Sequence, residues 1–203
     1  NGPYDFYTLI SGVHLPLKSS EEISDWFHSR QGYSIFSNLR KSGEYQETLK
    51  LRRYNLFLRN YQSTNSILKY LSQAAWKLAI SIQKVFDIKT NKECEFYWAN
   101  NWCSLTEQAV EYLVKEKKNI LHRYRWSFCG DEFFVPTELM KSELAGTVVS
   151  SDSLLYGAIG RSNASVLTMD DYAGLVASEC LFGRKFSAGQ SQLIDAISKG
   201  TSD

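Results

Sequence analysis

The sequence predicts an α/β fold. Short segments rich in aromatic and β-branched residues, which are typical of strands, alternate with segments whose apolar residues recur at three- and four-residue steps, which are typical of helices. The chain has 203 residues, of which 43% are hydrophobic and 14% aromatic, enough for one packed domain. Because neither an internal repeat nor a convincing linker interrupts it, we predict a single domain portion over residues 1–203.

The first predicted elements are a strand, a helix and a second strand. Residues 4–11 are rich in aromatic and β-branched side chains, so they predict a buried strand. Ser19 and Glu22 have the spacing of a capping box, which predicts a helix over residues 20–30. A short strand is predicted at residues 33–36.

The strongest helical pattern follows a basic and aromatic segment at residues 50–59. Apolar residues recur at helical spacing at Ile67, Leu68, Leu71, Ala75, Leu78, Ile82 and Val85. Lys69, Lys77 and Lys84 fall off this stripe. Two interpretations remain open: a helix whose lysines form a solvated outer face, or a basic amphipathic helix that rests on an anionic membrane surface.

Two further capping boxes are predicted later in the chain. Ser104 with Glu107 predicts a helix that ends near residue 118, and Thr168 with Asp171 predicts a helix that ends near residue 178. The other predicted elements are strands at residues 95–99 and 154–159 and helices at residues 135–142 and 190–199.

The bulk composition argues against several classes of protein. A net charge of +1 is unlike that of a general nucleic-acid binder. No run of about 18 apolar residues predicts a membrane span, and no signal peptide is recognised. The four cysteines form neither a CxxC pair nor a Cys/His cluster, so we expect no zinc site and reduced thiols, as in the cytoplasm.

The first residues predict that this sequence starts within a longer protein. The turn sequence Asn-Gly-Pro at residues 1–3 lacks an initiator Met and leads directly into an apolar run. We therefore expect this chain to be the C-terminal portion of a larger protein.

The most informative local feature is a pair of acids, Asp131 and Glu132, between Gly130 and two phenylalanines. The apolar neighbours favour a carboxylate that acts as a general base, whereas a position in the first turn of the following helix favours a stable negative charge. The alternative is that Asp131 merely caps this helix.

Four ordered blocks resemble one enzyme family. Residues 4–19, with the sequence YDFYTLISGVHLPLKS, closely resemble a signature of the core-2/I-branching glycosyltransferases, which are β-1,6-N-acetylglucosaminyltransferase-like enzymes related to the peptide xylosyltransferases. Residues 102–106 (WCSLT), 131–134 (DEFF) and 181–186 (LFGRKF) resemble three further blocks of that family, in the family's order. Together the four blocks cover nearly the whole chain.

The resemblance implies a GT-A-like glycosyltransferase fold and an inverting, metal-independent mechanism. It also implies that the first β-α units of the nucleotide-binding part, roughly the first third of the family domain, are missing from this chain. By similarity, Glu132 is the catalytic base and Asp131 caps the helix or orients its neighbour. Lys185 matches the family's phosphate-contacting lysine, and Arg161 and Arg184 are further candidates for binding the donor diphosphate.

Other residues are candidates for binding the donor or acceptor sugar. Lys50, Arg52 and Arg53 lie where family members place charged acceptor-binding residues, although this segment aligns poorly. Trp102 can stack on a sugar ring or pack in the core. His14 occupies a position where the family usually has an acid, and we expect it to bind the donor sugar, to alter donor choice or to mark lost activity.

Three functions follow from these residues and from the resemblance. The first is transfer of a sugar from a UDP donor to a glycan or lipid-linked saccharide, without a metal or other cofactor, and the resemblance implies that this sugar is N-acetylglucosamine. The enzyme would then be bacterial and would act at the cytoplasmic face of the inner membrane. The second is a catalytically silent glycan- or membrane-binding module. The third, a glycoside hydrolase, fits poorly because two adjacent acids do not flank a scissile bond.

Overall fold

The structure is a computed structural model that describes residues 4–43, 45, 47–157 and 165–201. Its helices are α1 (Ser20–His28), α2 (Ser66–Val85), α3 (Glu107–Lys115), α4 (Lys117–Tyr124), α5 (Asp131–Met140), α6 (Tyr172–Ala177) and α7 (Ser191–Gly200). Its strands are β1 (Tyr7–Thr8), β2 (His14–Pro16), β3 (Ser34–Phe36), β4 (Arg40–Lys41), β5 (Tyr97–Trp98), β6 (Cys103–Leu105), β7 (Val148–Ser150), β8 (Leu155–Tyr156) and β9 (Phe182–Arg184). The predicted α/β class is confirmed.

The chain divides into two compact units. The first unit comprises Asn1–Leu39, Ala99–Glu111 and Leu144–Asp203, and the second comprises Arg40–Trp98 and Tyr112–Glu143. The single-domain organisation stays a prediction. Within the described ranges, no helix is both long and apolar enough to span a membrane.

The first unit contains two small sheets. One has the strand order β1-β6-β3-β7, in which β3 and β7 are parallel and the other pairs are antiparallel. Ile35 of β3 clusters with Leu154 and Leu181, which directly precede β8 and β9, and apolar side chains of α1 pack against this cluster. The other sheet has the order β2-β9-β8, and its register places His14 opposite Arg184. This pairing brings together two of the predicted site residues.

The capping predictions have mixed outcomes. At α1, Ser19 Oγ accepts from the N–H of Glu22 at 3.2 Å and the Glu22 carboxylate accepts from the N–H of Ser19 at 2.8 Å, as predicted. The box of Thr168 and Asp171 is also confirmed. The box at Ser104 is wrong, because Ser104 lies in β6 and Thr106 accepts from the N–H of the third helical residue, Ala109, instead.

The predicted first strand is wrong in length and burial. Instead of residues 4–11, only Tyr7–Thr8 form β1, and Leu9 and Ile10 are about half exposed. Among the described strands β1 pairs only with β6, so one of its edges has no neighbour to bury it. The strand at residues 33–36 is confirmed as β3, whereas the strands predicted at residues 95–99 and 154–159 shorten to β5 and β8, and residues 158 and 159 lie outside the described residues.

The helix after the acidic pair begins earlier than predicted. It starts at Asp131 rather than at residue 135, because the N–H groups of Phe133 and Phe134 already donate to the carbonyl of Gly130, at 3.1 and 2.9 Å. Pro136 lies inside this helix, and since it has no N–H it removes a single helical hydrogen bond, the one to the carbonyl of Glu132. Both acids therefore lie in the first turn, as the sequence analysis expected.

The second unit places α5 against β5. The hydroxyl of Thr137, which is fully buried, accepts from the N–H of Tyr97 at 2.9 Å and donates to its carbonyl at 3.2 Å. The core beneath this contact consists of Leu51, Cys94, Phe96 and Phe133. These contacts fix the first turn of α5 relative to the neighbouring Trp98.

The helix predicted from the apolar stripe is confirmed as α2, and its lysines are exposed, although they are not the whole of its exposed surface. The stripe itself is exposed: Ile67, Leu68, Leu71, Leu78, Ile82 and Val85 each keep at least 45% of their surface accessible. The buried residues of α2 are instead Ser72, Ile80 and Gln83. The helix therefore turns a largely polar face toward its unit.

Candidate active site

The acidic pair lies at the N-terminal end of α5. The residue at the N-cap position is Gly130 and Asp131 is the first residue of the helix, so the interpretation of Asp131 as the N-cap is wrong. Asp131 and Glu132 occupy the first two helical positions instead, where the helix dipole favours negative charge. Cys129, immediately before, has a positive φ of 54° and turns the chain into the helix.

The Glu132 carboxylate is held through one oxygen. Its Oε2 accepts from the indole N–H of Trp98 at 3.0 Å and lies 3.8 Å from the ammonium of Lys50. Both charged side chains are partly buried. Within the described ranges no hydrogen bond reaches Oε1. A carboxylate that is fixed and stabilised at one oxygen and open at the other has the geometry of a general base.

The partners of Glu132 are themselves fixed by packing. Trp98 pairs with Arg40 across β4 and β5, and the Arg40 guanidinium lies 4.3 Å from the centroid of the indole ring. The Lys50 ammonium lies 5.5 Å from the centroid of the Phe133 ring, and a π-helix at Glu47–Leu51 carries Lys50. Sequence reasoning missed Trp98, because nothing in the local pattern of β5 marks its indole as a donor to a residue 34 positions away.

The charge around Glu132 also acts on the adjacent thiol. Partial burial raises the pKa of Cys129 most, Lys50 lowers it, and the carboxylates of Asp131 and Glu132 raise it further. All four cysteines are described and form no disulfide in the structure. Burial raises the pKa of Cys103 to about 12, so this thiol stays protonated at neutral pH.

Arg52 has a full set of partners within its unit. Its guanidinium donates to the Glu47 carboxylate at 2.9 and 3.3 Å, and it also donates to three backbone carbonyls. Those carbonyls belong to Asn91, Lys92 and Cys94, at 2.7 to 2.8 Å. All five N–H donors are thereby used. The predicted role of Arg52 in binding an acceptor has no support in this geometry.

Arg53 is buried, with 4% of its surface exposed. Its Nη1 donates to the carbonyls of Gln83, at 2.7 Å, and of Ile88. These two carbonyls belong to the C-terminal end of α2 and the turn after it. Arg53 therefore ties α2 to the preceding segment, and its predicted contact with an acceptor also stays a prediction without support here.

A cleft of about 440 Å³ opens in the second unit, and one residue of its lining, Phe128, shortly precedes the acidic block in the sequence. Its walls include Arg59, the amide side chains of Asn60 and Gln62, and the rings of Tyr61 and Phe128. The two rings lie 5.3 Å apart between centroids, and Phe128 precedes Glu132 by four residues. Hydrogen-bonding amides beside aromatic rings are suited to a saccharide. Sequence reasoning had noted only the basic and aromatic character of this segment.

The predicted diphosphate-binding residues lie at the end of β9 in the first unit. Arg184 is the last residue of the strand, and Lys185, which follows it, is exposed. Backbone hydrogen bonds hold this segment, since the N–H of Leu167 donates to the carbonyl of Lys185 and the N–H of Phe186 donates to that of Val13, each at 2.9 Å. Arg161, the third candidate, lies outside the described residues.

His14 is a buried histidine with a defined tautomer. Its Nδ1 accepts from the backbone N–H of Ser11 at 3.1 Å, so the proton of the neutral ring is on Nε2. Burial lowers the pKa of His14, and the positive charge of Arg184 lowers it further, against a smaller opposite effect of the bond from Ser11. No described residue bonds to Nε2, which remains a buried donor. The spacing Ser-x-x-His is the only sequence signal that could have predicted this turn.

Trp102 packs between two predicted site residues. Its ring lies 4.5 Å from that of His14, and the Arg184 guanidinium lies 5.1 Å from its centroid. The crevice beside His14 and Trp102 holds about 10 Å³, room for one water molecule. The geometry favours core packing for Trp102, and sugar stacking stays a prediction.

The burial of His14 predicts a pH-dependent stability. Because folding lowers its pKa, protonation favours the unfolded chain, so the stabilisation is present above the ordinary histidine pKa and is lost as the pH falls through the folded value. We expect the urea midpoint of the protein to fall from neutral to mildly acid pH, and the NMR titration midpoint of His14 to lie below that of a free histidine. A His14→Gln variant should lose this part of the pH dependence; an unchanged dependence would contradict the assignment.

The structure thus brings the predicted residues together in two groups. His14, Trp102 and Arg184 meet in the first unit, and Glu132 meets Lys50 and Trp98 in the second. Within the described residues, no three His, Cys, Asp or Glu side chains come together as a metal-binding group.

Comparison with protein families identifies the class of protein. Residues 1–156 match the model of the Core-2/I-Branching enzyme family, and the chain therefore belongs to this family. Its members are glycosyltransferases, and the mixed sheets and helices of the structure are consistent with a GT-A-like fold. The matched residues include His14, Trp102 and Glu132 but not the basic block at residues 181–186. A comparison with curated proteins found no match.

Proposed function

We propose that this glycosyltransferase inverts the anomeric centre of its donor and uses a UDP-sugar, with N-acetylglucosamine as the transferred sugar and a glycan or lipid-linked saccharide hydroxyl as the acceptor. The observation that carries the proposal is the Glu132 carboxylate, held through Oε2 by Trp98 and Lys50. A single base of this kind suits direct displacement, in which one carboxylate activates the attacking hydroxyl.

In the proposed reaction, the open oxygen of Glu132 takes the proton of the acceptor hydroxyl. The acceptor oxygen then forms a bond to the anomeric carbon from the face opposite the leaving group, while the bond from that carbon to the diphosphate oxygen breaks. The hydrogen bond from Trp98 and the nearby ammonium of Lys50 orient the carboxylate before the proton moves. The cleft beside Phe128 is the place we propose for the acceptor saccharide.

The departing UDP gains negative charge as the bond to the sugar breaks. We propose that Lys185 and Arg184, which are adjacent at the end of β9, neutralise this charge in place of a metal ion. We propose that His14 adds a neutral hydrogen-bond donor for the diphosphate. Its Nε2–H is buried without a described partner, and His14 lies opposite Arg184 in the sheet. Arg161 stays a further candidate from the sequence alone.

The test is UDP release from a panel of UDP-sugars by the full-length protein, with and without EDTA. We expect EDTA-resistant release, and a loss of about 10²- to 10³-fold in the Lys185→Ala variant, the size expected when one group that stabilises developing charge is removed. Lys199→Ala, an exposed lysine on α7 of the same unit, is the matched control and should release UDP at the normal rate.

Each other outcome contradicts part of the proposal. Release that EDTA abolishes would overturn metal independence. A Lys185→Ala variant with normal release would move the stabilising cation to another residue. If no UDP-sugar is turned over, the UDP donor is wrong and a glycan-binding module becomes the better description.

A further inference from the structure

Helix α2 is attached to its unit by hydrogen bonds rather than by its apolar stripe. The Gln83 side chain accepts from the N–H of Tyr54 at 2.8 Å and donates to the Tyr54 carbonyl at 2.9 Å. The Trp76 indole donates to Asn55 at 2.9 Å, and the Ser72 hydroxyl donates to the carbonyl of Phe57. The fold of the unit therefore does not need the stripe, which stays available to another surface.

The exposed stripe is aliphatic and continuous. Its six leucine, isoleucine and valine residues run along the 20-residue helix, a length of about 30 Å. After the helix, Phe86 and Ile88 extend the apolar surface, with 72% and 42% of their surfaces exposed. A monomeric soluble protein rarely leaves so large an apolar patch uncovered.

The charges around the stripe are almost all positive. Residues 65–92 contain five lysines and a single aspartate, Asp87, and that aspartate pairs with Lys89 at 2.7 Å. Lys77 and Lys84 lie on the helix surface beside the stripe. Both are exposed, and neither forms an ion pair with a described residue. The face therefore combines an apolar centre with a flank of one charge sign.

This combination distinguishes between possible partners. The cores of protein interfaces are enriched in aromatic residues and arginine and depleted of lysine, whereas this face is aliphatic apart from Phe86 and is flanked by lysines. A two-fold contact with a second copy would bring the same lysine rows close to each other. An anionic lipid surface accepts both features, because aliphatic side chains enter the acyl boundary while lysines extend to the headgroups.

We propose that the outward face of α2 binds an anionic lipid surface and lies in its plane. The lysines supply attraction to the headgroups, and the stripe supplies burial of apolar area once the helix has arrived. The inference goes beyond the proposed reaction and does not depend on the donor or acceptor, since its test measures binding alone.

The experiment is flotation of the full-length protein with vesicles. Binding is expected with vesicles that contain phosphatidylglycerol, and not with phosphatidylcholine alone or at high salt. Leu71→Gln with Leu78→Gln, and separately Lys77→Gln with Lys84→Gln, should each weaken binding by about tenfold or more. All four side chains point to solvent, so circular dichroism and the melting temperature should stay unchanged.

Matched controls come from residues 114–121 of the same unit, which include the end of α3 and the first part of α4. Val114→Gln with Leu121→Gln removes equally exposed apolar side chains, and Lys117→Gln with Lys118→Gln removes equally exposed charges. These variants should bind as the unchanged protein does. The proposal is overturned if anionic vesicles are not bound, or if the α2 and control variants weaken binding equally. It is also overturned if sedimentation shows that the unchanged protein is a dimer, that the Leu71/Leu78 variant is a monomer, and that the protein does not bind vesicles.

Discussion

Replacing Glu132 with Gln is expected to lower kcat for sugar transfer by about 10²- to 10⁴-fold, the contribution of a positioned general base. Gln keeps the size of the side chain, and its carbonyl oxygen can still accept from the indole of Trp98, so the fold should be retained. It cannot take a proton from the acceptor. The measurement is single-turnover transfer with the donor that the UDP-release panel selects, with KM determined alongside.

The matched control is Glu93→Gln, which removes an exposed carboxylate from the same unit and should leave kcat unchanged. A melting curve for each variant separates loss of chemistry from loss of structure. A Glu132→Gln enzyme that keeps about a tenth or more of the normal kcat would move the base to another residue.

Replacing Arg53 with Met is expected to lower the free energy of unfolding by about 2–4 kcal/mol, because two carbonyls of the α2 terminus lose a charged donor inside the protein. Met keeps the aliphatic packing of the stem, so the loss reports the guanidinium. The measurement is the urea midpoint and slope, followed by fluorescence.

Arg59→Met provides the comparison, since Arg59 is exposed and close in sequence. It should change the stability by less than about 0.5 kcal/mol. Arg59→Met serves as a comparison for stability only, because Arg59 lines the cleft proposed for the acceptor. The Arg53→Met variant itself distinguishes the two roles given to Arg53: loss of an acceptor-binding arginine would raise KM at unchanged stability. That outcome would restore the role that the sequence analysis assigned to it.

Local patterns predicted the elements well where the signal and the structure are both local. The capping box of Ser19 and Glu22 predicted α1, and the helical spacing over residues 67–85 predicted α2 within a residue. The capping box predicted at Ser104 is wrong because Ser104 is part of β6. The helix begins two residues later than that box requires, and Thr106 accepts the hydrogen bond from its third residue, Ala109.

The orientation of α2 could not be predicted from its own sequence. An apolar stripe indicates which face seeks a non-aqueous surface, but it does not say whether that surface belongs to the same chain. The partners that set the orientation, Tyr54 and Asn55, lie on a separate segment and act through amide and indole hydrogen bonds. Such bonds have no periodic signature.

The candidate site was predicted in part for the same reason. The acidic block is contiguous, so Glu132 could be selected from the sequence, and family membership supports the choice of enzyme class. Its partners Lys50 and Trp98 come from segments 82 and 34 residues away. Arg52 and Arg53 were selected by their charge and by their position in a segment that aligns poorly with the family, and neither criterion distinguishes a ligand contact from a backbone contact.

The hydrogen-bonded attachment of α2 has a consequence for how it tolerates a change of solvent. A helix held to its protein by apolar packing loses that attachment among lipid tails, which solvate the same side chains equally well. Hydrogen bonds behave in the opposite way, because a lower local dielectric strengthens them. The bonds of Gln83 and Trp76 should therefore hold α2 more firmly when its outer face is immersed, so that the helix can enter an interface without detaching from the enzyme.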